Sequence, residues 1–314
     1  MLSLMRPTET LLAALVPLLG ACSTPPAPAE KYTAPIKETK GFFILYGDTR
    51  EQDPRESVWR PGDPKARQLL AVRLAEEDPD FILSTGDLVR TGADRSLWER
   101  FDRENAAIRE HGIAYYPSLG NHDYAGDEKE ALSNYFEHFP LLEGRKWYDL
   151  HYKGLTLLVL DSNEDALADY ERELEAKWLE AELAKADADP AVKWVIVTSH
   201  HTPYTNAVLF SDSLWVQETF LARAKTCKKF KAYVAGHVHS YERFKIDGYD
   251  FVVSGGGGAP LNSVSGKKGK HADLYDGPRQ FHYLRFHVGD DIRVETVMVD
   301  DDEHWNVVDR FTIS

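Results

Sequence analysis

Two cysteines, Cys22 and Cys227, are too few to build a disulfide framework, so the fold must be held by its core and by any metal it binds. Cys227 has no histidine near it in sequence and reads as a small, semi-buried filler rather than a nucleophile. Positive charge is also scarce: 37 Lys and Arg face 51 Asp and Glu, a net charge of −14 over 314 residues. A surface that acidic repels nucleic-acid backbones and anionic headgroups, which argues against nucleic acid as a partner. It leaves room for a small phosphorylated substrate, because a metal site reverses the field in one pocket. Long apolar runs are missing too. Leu11 to Leu19 falls well short of the ~20 residues a membrane-spanning helix requires.

That short run, following Arg6, reads as the core of a signal peptide. It ends at Leu19-Gly20-Ala21-Cys22, which resembles the bacterial lipoprotein signal, in which the cysteine is lipidated and becomes the new N-terminus. An ordinary cleaved signal peptide with an incidental Cys22 is the alternative. Both imply export to the bacterial cell envelope, and the first adds a membrane anchor through lipid at Cys22. Residues 1–21 are then the signal peptide and 22–40, rich in Pro, Ala, Thr and Lys, a flexible tether. Residues 41–314 form one domain, with no Pro/Gly linker to divide it.

From Gly41 to Tyr46 the apolar residues are continuous, as in a strand covered on both faces. A helical pattern over Lys65 to Glu77, a strand at Phe81 to Ser84, a helix over Ser96 to Glu110 and a strand at Ile113 to Tyr116 follow. This alternation indicates a layered α/β architecture. Glu128 to His138 reads as a helix, and Trp147 to Leu150 with Leu155 to Leu160 as a hairpin. Helices at Glu171 to Ala184 and Trp215 to Ala224 flank strands at Val192 to Val197 and Lys231 to Val234. Past Phe251 to Val253 and the glycines Gly255 to Gly258, the segments Phe281 to Val288, Ile292 to Val299 and Val307 to Ile313 read as antiparallel strands.

Polar residues cluster where the strands end: Asp48, Asp87, Asn121 with His122, His201, and His237 with His239. Ligands of α/β sheets bind outside the carboxyl ends of strands. Taken singly, Asp48 would pass for a helix cap and Asn121 for an Asx-turn residue. Together, carboxylate, amide and imidazole suit borderline divalent ions such as Mn, Zn and Fe(II). One ion could not use six ligands and keep a position open, so two ions sharing a carboxylate is the economical arrangement.

The series Gly47-Asp48, Gly86-Asp87, Gly120-Asn121-His122-Asp123, His201-Thr202-Pro203 and Gly236-His237-Val238-His239 resembles the calcineurin-like metallophosphoesterase superfamily. The block Gly236 to Arg243 and Trp178-Leu179 before Glu182-Leu183 are similar to purple acid phosphatases. The resemblance covers residues 41 to about 260 and implies a four-layer α/β/β/α sandwich with mixed sheets. It implies that Asp87 bridges two divalent ions, that Asp48 and His239 hold one, and that Asn121, His201 and His237 hold the other. His122 would act on the leaving group or the transferring phosphoryl group, with Asp123 as a possible orienting or charge partner. The implied reaction is metal-dependent hydrolysis of phosphate esters, monoesters before diesters. His200 competes with His201 for one ligand position and is placed behind it.

Two positions depart from the family pattern. Arg50 stands where relatives carry a histidine, and Arg90 where purple acid phosphatases carry the tyrosine that binds ferric iron. Loss of the phenolate weakens the case for trivalent iron. Arg50 either grips phosphate oxygens bidentately or forms a structural salt bridge at the first strand end. Tyr204 and Asn206 are candidate substrate contacts, and Glu242 with Arg243 a bracing pair behind His237 and His239. A non-catalytic metal- or phosphate-binding lipoprotein is the runner-up function, and a metal-free surface protein the third.

Overall fold

The computed structural model describes residues 31–53 and 64–313. The signal peptide, the Cys22 anchor and the first part of the expected tether lie outside the described residues. The rest of that tether is packed. Tyr32 is 2% exposed, its ring stacked on Phe139 at 5.1 Å and tilted against Tyr115 at 5.0 Å. Arg109 Nη1 donates to its hydroxyl at 3.0 Å. Farther along, the Asp80 carboxylate accepts the amides of Thr39, Lys40 and Gly41 at 2.8 to 3.0 Å. The ordered domain therefore begins ahead of the expected boundary at residue 41.

In chain order the strands are β1 (Phe42–Tyr46), β2 (Phe81–Ser84), β3 (Ala114–Pro117), β4 (Tyr148–Tyr152), β5 (Leu155–Val159), β6 (Trp194–Ser199), β7 (Phe230–Ala235), β8 (Tyr241–Ile246), β9 (Tyr249–Ser254), β10 (His282–Val288), β11 (Ile292–Val299) and β12 (Trp305–Ile313). Helices α1 (Pro64–Glu77), α2 (Arg95–Glu104), α3 (Ala106–Glu110), α4 (Glu128–His138) and α5 (Asp169–Ala188) lie between them. One six-stranded sheet has the order β12-β11-β10-β1-β2-β3, parallel from β1 to β3 and antiparallel beyond β1. The other has the order β4-β5-β6-β7-β9-β8, with its two outermost strands antiparallel to a parallel centre.

Alternation along the strands explains the layering, since successive side chains point to opposite faces. Leu155, Leu157 and Val159 of β5 share a core with Phe43 and Phe81 of the first sheet. Tyr152 bridges the two sheets, its ring 6.0 Å from Phe43 and 5.3 Å from Phe81. Leu158 and Leu160 turn the other way, onto Leu179 and Leu183 of α5. In the first sheet Tyr46 points outward, its hydroxyl donating to Asn105 between α2 and α3 at 3.4 Å. Each such buried apolar side chain contributes ~1.5–3 kcal/mol, so both faces of the sheets need their cover. The result is the expected four-layer α/β/β/α sandwich with two mixed sheets.

Three local expectations change. The helix over Ser96 to Glu110 is broken at Asn105, whose amide donates to the Phe101 carbonyl at 2.9 Å and competes with the helical ladder. The helix at Trp215 to Ala224 begins at Leu214 and widens to a π-helical turn over Gln217–Leu221. Strand β8 was not anticipated, although Asp247-Gly248 marks its hairpin with β9: both residues have positive φ, 53° and 86°, as a two-residue type I′ turn requires. The same geometry at Lys153-Gly154 closes the expected β4–β5 hairpin.

Because Tyr32 sits within the core, Tyr32→Ala should lower unfolding stability by about 3 kcal/mol in chemical denaturation. A free tether would give no change.

Candidate metal centre

Every expected ligand lies just past a strand, at one edge of the sandwich. Asp48, Asp87 and Asn121 follow the parallel β1, β2 and β3; His200 and His201 follow β6; His237 and His239 follow β7. Asp48, Asp87 and His237 adopt left-handed backbone, with φ of 60°, 53° and 68°. Asp and His tolerate that region better than most residues, at about 1–3 kcal/mol of strain each. The preceding glycines are steric requirements. A Cβ at Gly236 would collide with the Asp48 carboxylate and the Thr85 hydroxyl, and one at Gly86, itself at φ 92°, with the backbone of Gly120.

Two donor groups result: His200, His201 and His237 in one, Asp48, Asp87 and His239 in the other, each with its ligand atoms within 4.8 Å of one another. Within the first, Asn121 Oδ1 lies 3.1 Å from His200 Nε2 and 3.1 Å from His237 Nδ1. His200 Nε2 and His237 Nδ1 are 3.1 Å apart, and His200 Nε2 reaches Asp87 Oδ1 at 3.5 Å. His200, expected in a supporting position, thus stands among the ligands. His201 directs its Nδ1 to Ser162 Oγ at 3.0 Å and packs its ring 4.4 Å from that of His237. The parity of β6 is the cause: Ser199 and His201 share a face, and His200 has the opposite one, toward the first sheet. His201 nevertheless remains in the same donor group as His200 and His237.

The tautomers are set by backbone. His200 Nδ1 donates to Thr85 O at 2.8 Å and His239 Nδ1 to Pro260 O at 2.8 Å, leaving each Nε2 to face the carboxylates. Burial lowers the proton affinity of His200, but Asp87 and Asp48 raise it further, leaving it above the ordinary histidine value. Burial and the neighbouring His200 hold His201 down to about 3.

In the second group His239 Nε2 lies 3.4 Å from Asp48 Oδ1, and both Asp48 oxygens accept the His237 amide, at 3.2 and 3.1 Å. Asp87 is 1% exposed; its Oδ1 accepts the His122 amide at 2.9 Å. Burial would raise its carboxyl, but His200, His122 and Arg50 outweigh that and hold it well below the usual carboxylate range. Imidazole, amide and carboxylate donors converging in one negative field are a chemical fit for divalent cations, with backbone-anchored histidines of the kind metal sites use.

Of the remaining expected residues, His122 fixes its Nδ1 on the Arg90 carbonyl at 2.7 Å, so Nε2 is its free nitrogen. Asp123 does not orient that ring. Fully buried, its carboxylate accepts the amides of Asp87, Leu88, Val89 and Gly120 at 2.9 to 3.3 Å and shapes the loop that carries Asp87. Arg50 is buried, with Nε 3.7 Å from Asp87 Oδ2 and Nη1 donating to Glu51 O at 3.1 Å. That geometry is the salt-bridge alternative, not a phosphate clamp.

Supporting residues also differ from expectation. Glu242 and Arg243 do not pair, because neighbours on a strand face opposite ways. Glu242 accepts the Thr205 hydroxyl at 2.5 Å and the Asn206 amide at 2.8 Å, whereas Arg243 Nε pairs with Asp309 at 2.8 Å. Asn206 staples its loop to Gly266 and His271 at 3.0 and 2.8 Å, and Tyr204 packs edge-on against Phe251. Cys227 is buried, its thiol pushed up to about 11 by burial and Asp187, which fits a filler.

Fold and site together define a candidate binuclear metal-binding centre. The family described as calcineurin-like phosphoesterase matches residues 43–241, and the chain belongs to it. Purple acid phosphatase 22 of Arabidopsis thaliana is 28% identical over 183 residues, 54% of this chain and 40% of that protein. The chain thus matches about two fifths of that relative's length. A nucleotide pyrophosphatase/phosphodiesterase of Hordeum vulgare is 24% identical over 284 residues, 76% of this chain and 75% of its own. The structure of purple acid phosphatase PPD1 from yellow lupin seeds shares the fold, with a TM-score of 0.69 at 19% identity over 92% of this chain and 55% of that one.

Burial raises Glu242 to about 7, above the ordinary glutamate value. A carboxyl raised on folding contributes stability at low pH that is lost as pH rises through its folded value. The melting temperature of the wild type should therefore fall between about pH 5 and pH 8, and Glu242→Gln, which cannot titrate, should flatten that slope.

Proposed function

We propose that this chain hydrolyses phosphate esters, monoesters in preference to diesters, with two divalent transition-metal ions, Mn, Zn or Fe. The carrying observation is the placement of Asp87 between two donor sets, 3.5 Å from His200 on one side and grouped with Asp48 and His239 on the other. Asp48, Asp87 and His239 would hold one ion; Asp87, Asn121, His200 and His237 the other. The ions supply Lewis acidity, neutralising phosphoryl charge and acidifying water. His122, held at Nδ1, presents Nε2 to deliver a proton to the departing ester oxygen, worth ~10²–10⁴-fold in rate. Arg50 balances the Asp87 charge, and Asp123 fixes the backbone of its loop.

Similarity to purple acid phosphatases supports the monoester, and similarity to the barley protein supports diesters. With Arg90 three residues after Asp87, ferric tyrosinate chemistry is not part of the proposal. Export and lipid attachment at Cys22 rest on the N-terminal sequence alone. The Arg50–Asp87 ion pair favours a second reading, a metal- or phosphate-binding protein without turnover, because a buried guanidinium competes for the bridging carboxylate.

Metal-loaded protein should contain two ions per chain and hydrolyse phenyl phosphate faster than diphenyl phosphate. His200→Ala should remove about half the metal and nearly all turnover, whereas His201→Ala should keep both ions. Stoichiometric metal with no turnover on either ester would select the second reading, and metal loss on His201→Ala would reverse the histidine assignment.

A further inference from the structure

Beside the first donor group opens a cleft of about 450 Å³, reached past Asn121 and His201. Its volume is that of a small-molecule site. Its lining includes Glu128, Glu164, Asp165 and Trp215. No lysine or arginine lines it. All three acidic residues are exposed, and their carboxylates form no ion pair among the described residues; Arg172, which donates to the Glu164 carbonyl at 2.7 Å, is paired with Asp169. The nearby Lys146 is engaged by Glu171 at 2.9 Å. Trp215 is held edge-on by Phe220 at 4.8 Å, so its ring is a fixed surface. Asn163, which also lines the cleft, carries an independent mark of an absent ligand. Asn163 is 4% exposed and spends its amide hydrogens on Leu119 O and Asp161 Oδ1, but its Oδ1 is buried with no hydrogen-bond partner. A buried acceptor left unsatisfied is costly, and a ligand N–H or O–H would relieve it.

Resting on the phosphoesterase assignment, we propose that this cleft receives the alcohol portion of the substrate and selects alcohols that carry an ammonium group. Carboxylates attract the cation, the indole face adds a cation–π contact, and Asn163 Oδ1 accepts one of its hydrogens. An alcohol bearing further phosphate is repelled by the same carboxylates.

A matched pair that differs only in charge tests this: tyramine phosphate against 4-propylphenyl phosphate, in which a methyl replaces the ammonium. Wild type should favour the ammonium ester ~10-fold in kcat/KM at low salt, less at high salt. The double variant Glu164→Gln, Asp165→Asn should bring the ratio near one; both residues are exposed, and metal content and thermal unfolding check its integrity. The corresponding non-hydrolysable arylphosphonates, titrated calorimetrically into metal-loaded protein, should show the same preference in binding. Equal constants for the charged and neutral partners, or a ratio untouched by the double variant, would overturn the proposal. If neither ester turns over, the phosphoesterase assignment falls, and the phosphonate pair still decides the cleft.

Discussion

A carboxylate, Asp87, is almost wholly removed from water between two sheets, and the site is organised around that charge. An isolated ion there would cost several kcal/mol. It is tolerated because the His122 amide, the Arg50 guanidinium and His200 all face it, at 2.9, 3.7 and 3.5 Å. Its own loop is held by a second buried carboxylate, Asp123, through three amides, and the same carboxylate accepts the Gly120 amide. Burial and the Asp87 charge press the Asp123 carboxyl upward, and those amides favour its ionised form. Asp48 and Asp87 bring two carboxylates to the strand ends while burial holds down the proton affinity of His201 and His237, an environment that suits divalent cations.

The same constraint accounts for the backbone. Asp48, Asp87 and His237 accept left-handed φ because their side chains must turn back over the strand ends, and Gly86 and Gly236 precede two of them because neighbours press against the peptide. Gly255 to Gly258 run beneath Asp48, with Gly257 N bonded to Gly47 O at 2.8 Å and Ala259 N to Asp48 O at 2.9 Å. The two sheets are thereby locked together at the edge where the ligands lie.

Much of this was legible in sequence, because the motifs sit at strand ends and the strands are written as unbroken apolar runs. Phe42 to Tyr46 signalled double-sided burial, and the structure buries Phe43 to Tyr46 completely; Leu155 to Val159, expected only as half of a hairpin, divides its residues between two cores. What sequence could not carry was direction. The choice between His200 and His201 depends on which face of β6 turns inward, and Asp123 needed the loop folded to show that it serves four amides and not His122. Tyr32 was lost in a Pro- and Ala-rich context, since one aromatic in a polar stretch gives no periodicity. The Asp247-Gly248 turn, by contrast, was there to be read.

The central claim is that Asp87 joins two ions, one of them on His200. Anomalous diffraction from crystals of the Mn- or Zn-loaded protein tests it directly. The account predicts two peaks about 3.5–4 Å apart on either side of the Asp87 carboxylate, with His200 Nε2 bound to the one nearer Asn121. A single peak, or a second ion bound to His201 with His200 unligated, would contradict it.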